Sequence, residues 1–345
     1  MDVCYGKDYK HLNEGNFPVL GTGGVMGYVD EYLYSGESIL IGRKGTIDKP
    51  KYINGPFWTV DTLFFTKIKE GNPKFIFYQL NKINWLKYNE ASGVPSLSAN
   101  NIKNIKIKIP SLEEQKKIAS FLSAVDKKIE LLEKKYKNSL NLKNSILENL
   151  LNRTYSFKNS SKNWEEIKLS SILKERKEFA DKKSNYPHVT LSKEGILPKT
   201  EEYNRDFLVK DENKKYKVTH LNDICYNPAN LKFGVITLNK FGSAIFSPIY
   251  VTFEVKNANT EFVAYNLIRS NFINKIRKYE EGTVYERMAV KPSDFLKGNI
   301  LLPPLEEQGK ISHILNNLNK QLILIQKEQE LITSFKKSLL QKMFI

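Results

Sequence analysis

The apolar positions of this chain fall into two kinds of run, and each kind occurs twice. From Asp126 apolar side chains recur at Ile129, Leu132, Tyr136, Ile146 and Leu150; from Asn319 they recur at Leu322, Ile325, Ile332, Leu339 and Met343. Spacings of three and four gather such residues on one helix face and mark a coiled-coil seam. Each run follows a Leu-Glu-Glu-Gln segment headed by proline, at Pro110 and Pro303. Carboxylates in a first turn meet the positive end of the helix dipole, so these segments start helices. Asp126 and Asn319 are placed to cap a second, longer helix of about 25 residues, roughly 38 Å at ~1.5 Å per residue. One such helix alone is unstable in water. Its nearest partner is its twin, and the two are expected to pack antiparallel about a pseudo-two-fold axis.

The twins align without a gap from Ile109–Leu151 onto Leu302–Phe344. Leu112, Gln115, Ile129 and Leu132, with Leu305, Gln308, Leu322 and Ile325, are the candidates for pairing the helices or docking a partner. Leu112, Gln115, Leu305 and Gln308 can instead stabilise their own helix starts.

The second kind of run is short, β-branched and aromatic. SILIG ends at a Gly42-Arg43-Lys44-Gly45 turn, and FWTVDTLFFTKI (57–68) reads as a buried strand. Residues 74–90 read as helix, and Ile102–Ile109 alternates Ile with Asn or Lys. The polar stretch 152–163 is a linker. Beyond it DICYNPAN takes the place of SILIGRKG, FGSAIFSPIYVTFEV that of the strands near Phe57–Ile68, and 261–280 that of the helix. Whole halves are therefore duplicated, an α+β arrangement of 1–108, a helical stretch 109–151, a second body 152–301 and a second helical stretch 302–345. The helices stayed alike while the bodies diverged, so the two bodies are expected to read different ligands.

Composition adds a charge of +16, concentrated as +4 over 1–108 and +8 over 152–301, against +2 in each helical stretch. Two basic bodies held by helices suit nucleic acid, although a lysine-rich surface produces the same balance. Cys4, Cys225 and four scattered histidines offer no zinc or disulfide spacing, which points to a reducing cytoplasm and a metal-free chain. No apolar window suggests a membrane span or a leader.

Candidate base readers sit at the turns. Arg43 and Lys44, flanked by Thr46, can read guanine or decorate a solvated hairpin tip. Asn227, Asn230 and Lys232 take the matching place; asparagine can read adenine, and Asn-Pro is also turn chemistry. Ser96 and Ser98 match Tyr285 and Arg287 in the last loop of each half, and Thr22 lies in the glycine-rich VLGTGG loop. Lys7, Lys10, Lys193 and Lys291 are candidate phosphate contacts. VLGTGG lacks the helix that a cofactor loop needs, and Tyr226-Asn227-Pro228-Ala229 only grazes the Asn-Pro-Pro-aromatic pattern of adenine methyltransferases. A DNA-modifying enzyme and a coiled-coil scaffold are the competing classes. The first lacks a catalytic constellation, and the second does not account for two diverged basic bodies.

The doubled layout, with PSLEEQKKIASFL repeated as PPLEEQGKISHIL and the WEEIKL opening at Trp164, resembles the specificity subunit of type I restriction–modification systems. That resemblance implies two target-recognition domains separated by two long antiparallel helices. It also implies an asymmetric bipartite DNA target and no catalysis by this chain. Adenine-methylating modification subunits and motor-nuclease subunits would dock on it. S-adenosylmethionine, ATP and magnesium would belong to those partners only. Aligning Ile39 with Ile224 puts the counterpart of Trp164 about 20 residues before Met1, so the first recognition domain is expected to lack an opening segment that the second has.

Overall fold

The computed structural model describes residues 1–157, 164–199, 215–280 and 288–344. It divides into two compact units, Met1–Tyr136 with Leu324–Ile345, and Lys137–Ile323. The division falls inside both long helices. Each unit thus combines one body with the first part of the helix that follows it and the last part of the other.

In the first unit the strands are β1 (Asp2–Cys4), β2 (Glu14–Gly21), β3 (Gly24–Val29), β4 (Tyr34–Gly42), β5 (Lys51–Thr59) and β6 (Leu63–Lys67). They form one sheet in the order β1-β6-β4-β5-β2-β3, antiparallel except where β2 meets β5. FWTVDTLFFTKI is therefore two strands and not one, because the chain turns at Val60–Thr62. Alternation along β4 explains its unbroken apolar run: Ile39 and Ile41 enter one core, and Leu40 enters another with Phe57 and Phe65. Helix α1 (Pro73–Asn81) starts on Asn72, whose Oδ1 accepts the Phe75 amide at 3.0 Å. It stops short of residue 90 because Trp85 turns back into the core and its indole N–H takes the Leu80 carbonyl at 3.0 Å. A short α2 (Ala99–Lys103) then leads to α3 (Leu112–Leu151).

In the second unit β7 (Glu165–Lys168), α4 (Leu169–Ile172), β8 (Leu173–Glu175) and β9 (Phe179–Asp181) open the body. The hairpin β10 (Val189–Leu191) and β11 (Ile196–Pro198) follows, then β12 (Lys215–Thr219), β13 (Ile224–Tyr226), β14 (Ile236–Leu238), β15 (Ala244–Phe246) and β16 (Val251–Val255). Two small sheets result, β15-β12-β9 and β14-β13-β16-β8. The segment 261–280 breaks into α5 (Thr260–Leu267) and α6 (Ser270–Ile276), and α7 (Pro292–Phe295) precedes β17 (Asn299–Leu302). β17 pairs with β7. Its counterpart in the first body, Lys106–Ile109, is not in a strand. A stack of Tyr226, Phe253 and Phe295 fills the core of this body.

Both long helices run unbroken, α3 for 40 residues and α8 (Leu305–Met343) for 39. Asp126 and Asn319 therefore sit inside a helix and cap nothing. In the first unit Asp126 meets Lys336 at 2.5 Å, Lys128 meets Glu328 at 2.8 Å and Glu133 accepts from Gln329 at 3.3 Å. From the Asp126–Lys336 pair to the Glu133–Gln329 pair the chain advances along α3 while it steps back along α8, so the segments are antiparallel. In the second unit Leu147, Leu150 and Leu151 share a core with Ile311, Leu315, Phe262 and Tyr265. Leu132, Leu322 and Ile325 are buried seam residues and Ile129 is half-buried. Leu112 and Leu305 stand exposed at the helix starts. Among the described residues no helix is long and apolar enough to cross a membrane.

Candidate nucleic-acid interface

Each body is fastened to its helix by the same buried network. Gln115 accepts the Asn72 amide through Oε1 at 2.8 Å and donates Nε2 to the Pro110 carbonyl at 2.8 Å. Gln308 accepts the Asn259 amide at 2.8 Å and donates to the Pro303 carbonyl at 2.7 Å. Asn72 and Asn259 are the N-caps of α1 and α5. One glutamine thus ties the start of the body's helix to the start of the long helix. At Gly71 (φ +88°) an added Cβ would come within 3.0 Å of Gln115 Oε1, so this approach requires glycine. Gln115 and Gln308 are both buried, which assigns them to this brace.

A tyrosine adds a second point of attachment. Tyr78 donates to Asp126 at 2.8 Å; Tyr265 donates to Asn316 at 2.8 Å and accepts from Asn319 at 2.7 Å. Burial pushes the Tyr265 phenol up to about 12 and raises Tyr78 as well, there aided by the Asp126 carboxylate. These tyrosines escaped the reading of the sequence. Asn-x-x-Phe-x-x-Tyr, present as NPKFIFY and NTEFVAY, was the repeat that could have shown them.

On these frames three loops of the first body converge. Arg43 and Lys44 both donate their amides to the Thr62 carbonyl, Gly45 donates to Pro95 at 2.8 Å, and Leu97 donates to Arg43 at 2.9 Å. The turn is tight enough that a Cβ on Gly42 would lie 2.0 Å from the Thr46 oxygen. Thr22, at the tip of the β2–β3 hairpin, stands beside Gly45. Thr22, Arg43, Lys44, Thr46 and Ser96 therefore belong to one edge. The Arg43 guanidinium lies 5.3 Å over the Tyr5 ring and donates to the Asp61 carbonyl at 3.1 Å, which holds its planar fork. Neither partner was foreseeable from spacing. Ser98 is spent elsewhere: it caps α2 through Asn101 and donates to Glu90 at 2.8 Å. Lys7 and Lys10 are exposed on the β1–β2 connection, beyond Tyr5.

The second body keeps the frame and changes the loop. Val290 donates to the Pro228 carbonyl at 3.3 Å, the counterpart of the Leu97–Arg43 bond. Pro228–Phe233 forms a 3-10 turn that Asn227 caps, accepting the Ala229 amide at 3.1 Å. Asn227 is buried, so it serves the turn; Asn230 is partly exposed, and Lys232 is exposed with its ammonium 5.1 Å over Phe233. Lys193 is exposed at the β10–β11 tip, its stem beside Gly234. Lys291 is exposed ahead of α7, while Tyr285 and Arg287 lie outside the described residues.

The family model described as "Type I restriction modification DNA specificity domain" matches the chain twice, over residues 4–142 and 161–334. The chain belongs to this family. The role that this family's description gives is DNA specificity. Among relatives, the EcoprrI specificity subunit of Escherichia coli is 30% identical over 32% of this chain and 28% of its own length. The MjaVIII specificity subunit of Methanocaldococcus jannaschii is 26% identical over 77% of this chain and 68% of its own. The S subunit from M. genitalium shares the fold, with a TM-score of 0.69 at 15% identity over 100% of this chain and 93% of that one. Within this chain the two halves share the braces and differ in the loops. The braces bury their polar atoms against their own helices, whereas Lys44, Thr46, Lys193 and Lys232 face solvent.

Proposed function

We propose that this chain reads DNA as a bipartite, asymmetric target, one half-site per body, within a type I restriction–modification complex. The carrying observation is the pair of mirrored frames, each bolted to a long helix by glutamine and tyrosine, presenting dissimilar loops. Thr22, Arg43, Lys44, Thr46 and Ser96 read one half-site. Asn230 and Lys232, with Tyr285 and Arg287, read the other. Lys7, Lys10, Lys193 and Lys291 meet phosphates and set register without carrying sequence information. The long helices set the unread gap and dock the adenine-methylating and restriction–translocation subunits, which bring S-adenosylmethionine, ATP and magnesium. The complex works in the cytoplasm.

Binding to labelled duplexes, alone and with a modification subunit, tests this reading. The chain alone should bind weakly and with strong salt dependence, and the partner should sharpen it to one sequence. An affinity unchanged between low and high salt would contradict DNA as the ligand.

A further inference from the structure

The β2–β3 hairpin carries large apolar side chains that no core claims. Val25, Met26 and Tyr28 are 57%, 56% and 55% exposed. They stand among glycines: a Cβ on Gly23, Gly24 or Gly27 would meet nothing within 4 Å. Met26 leans over Gly21, its sulfur 2.7 Å from where a Cβ would sit. The base of the ribbon is fixed, since Val19 and Val29 are buried with Trp58. The tip lies beside the Arg43–Lys44 turn through Thr22 and Gly45. A slim two-stranded ribbon fits the major groove, where the thymine methyl is the one apolar feature and apolar side chains recognise it. Flanking cations supply the phosphate attraction that brings a ribbon there. In the second body's β10–β11 hairpin the residues after Gly195 are Ile196 and Leu197, but Ile196 packs against a core and Leu197 alone stands exposed, at 45%.

We infer that Val25 and Met26 are specificity-determining residues that read thymine methyl groups in the first half-site. This rests on the DNA-reading proposal above and names the base feature read. The occupant is DNA, not a protein partner, because the patch shares its edge with the loops that carry Arg43 and Lys44.

The test begins from the target mapped by methylation in a host carrying the complete system, and uses the complex of this chain with its modification subunits. Each thymine of the target is replaced in turn by uracil, which removes only the methyl. One or two positions in the first half-site should weaken binding about fourfold, the effect of one buried methyl-sized group. Val25→Ser or Met26→Ser should bind thymine and uracil alike at one of those positions. The second half-site should not respond to either variant. Both residues are exposed, so each variant should melt with the parent; if one does not, the other decides. A first half-site without thymine, a flat uracil scan, or variants that keep the discrimination would overturn the inference. The DNA-reading proposal would survive those results, because it fails only if the mapped duplex binds no better than a scrambled one.

Discussion

The two tyrosine braces have one geometry and two chemistries. In the first unit the helix position beneath the tyrosine is Asp126, and Lys336 neutralises it at 2.5 Å. In the second unit the same position is Asn319, the bond at Tyr265 is between neutral groups, and Asn316 also donates to Glu261 at 2.5 Å. Lys143 is the counterpart of Lys336, and among the described residues it has no ion pair; burial lowers its pKa. The difference teaches that duplication kept the attachment of body to helix and let its electrostatics drift. A hydrogen bond to a tyrosine accepts either an acid or an amide, but a lysine left without its acid pays for its desolvation.

The largest effect should come from the feature the two units share. Gln115→Ala and Gln308→Ala each strand a buried amide and a proline carbonyl, costing about 2–4 kcal/mol apiece. Denaturant unfolding should show losses of similar size, and one large and one negligible loss would break the equivalence. Next, Tyr265→Phe removes two hydrogen bonds to Asn316 and Asn319 and should cost about 1–2 kcal/mol. Tyr78→Phe should cost less, because Lys336 still holds Asp126.

The smallest effects should come from the charges in which the units differ. Asn319→Asp should give Lys143 its missing acid and raise stability by about 0.5–1 kcal/mol, while Asp126→Asn should lower it by a similar amount. The pH dependence has a definite sign. Because Lys143 has a lowered folded-state pKa, the unfolded chain binds more protons in the window just below the ordinary lysine value of 10.5. Stability at this site should therefore rise with pH through that window, and Asn319→Asp should flatten the rise. An unchanged slope in melting curves taken across that window would contradict the assignment.

The duplication, the long helices and their direction were legible because helical periodicity and carboxylate starts are local patterns. Asp126 and Asn319 misled for a local reason. Both are good caps in isolation, and tertiary bonds to Tyr78 and Tyr265 used them inside a helix instead. The strand pair after Phe57 was read as one because Val60–Thr62 carries neither Gly nor Pro. Arg43 and the glycine turn were visible, but Tyr5 and Asp61, which aim the guanidinium, come from other strands' ends and leave no spacing rule. Asn227 had two open uses, and its burial decided for the turn.

The central claim is that the two bodies read DNA independently on a common frame. Its most direct test exchanges residues 152–301 for the equivalent segment of a relative and maps methylation in a host carrying the complete system. The half-site read by the second body should change, with the first half-site left as it was. A target that stays wholly unchanged, or changes in both halves, would contradict independent reading by two bodies.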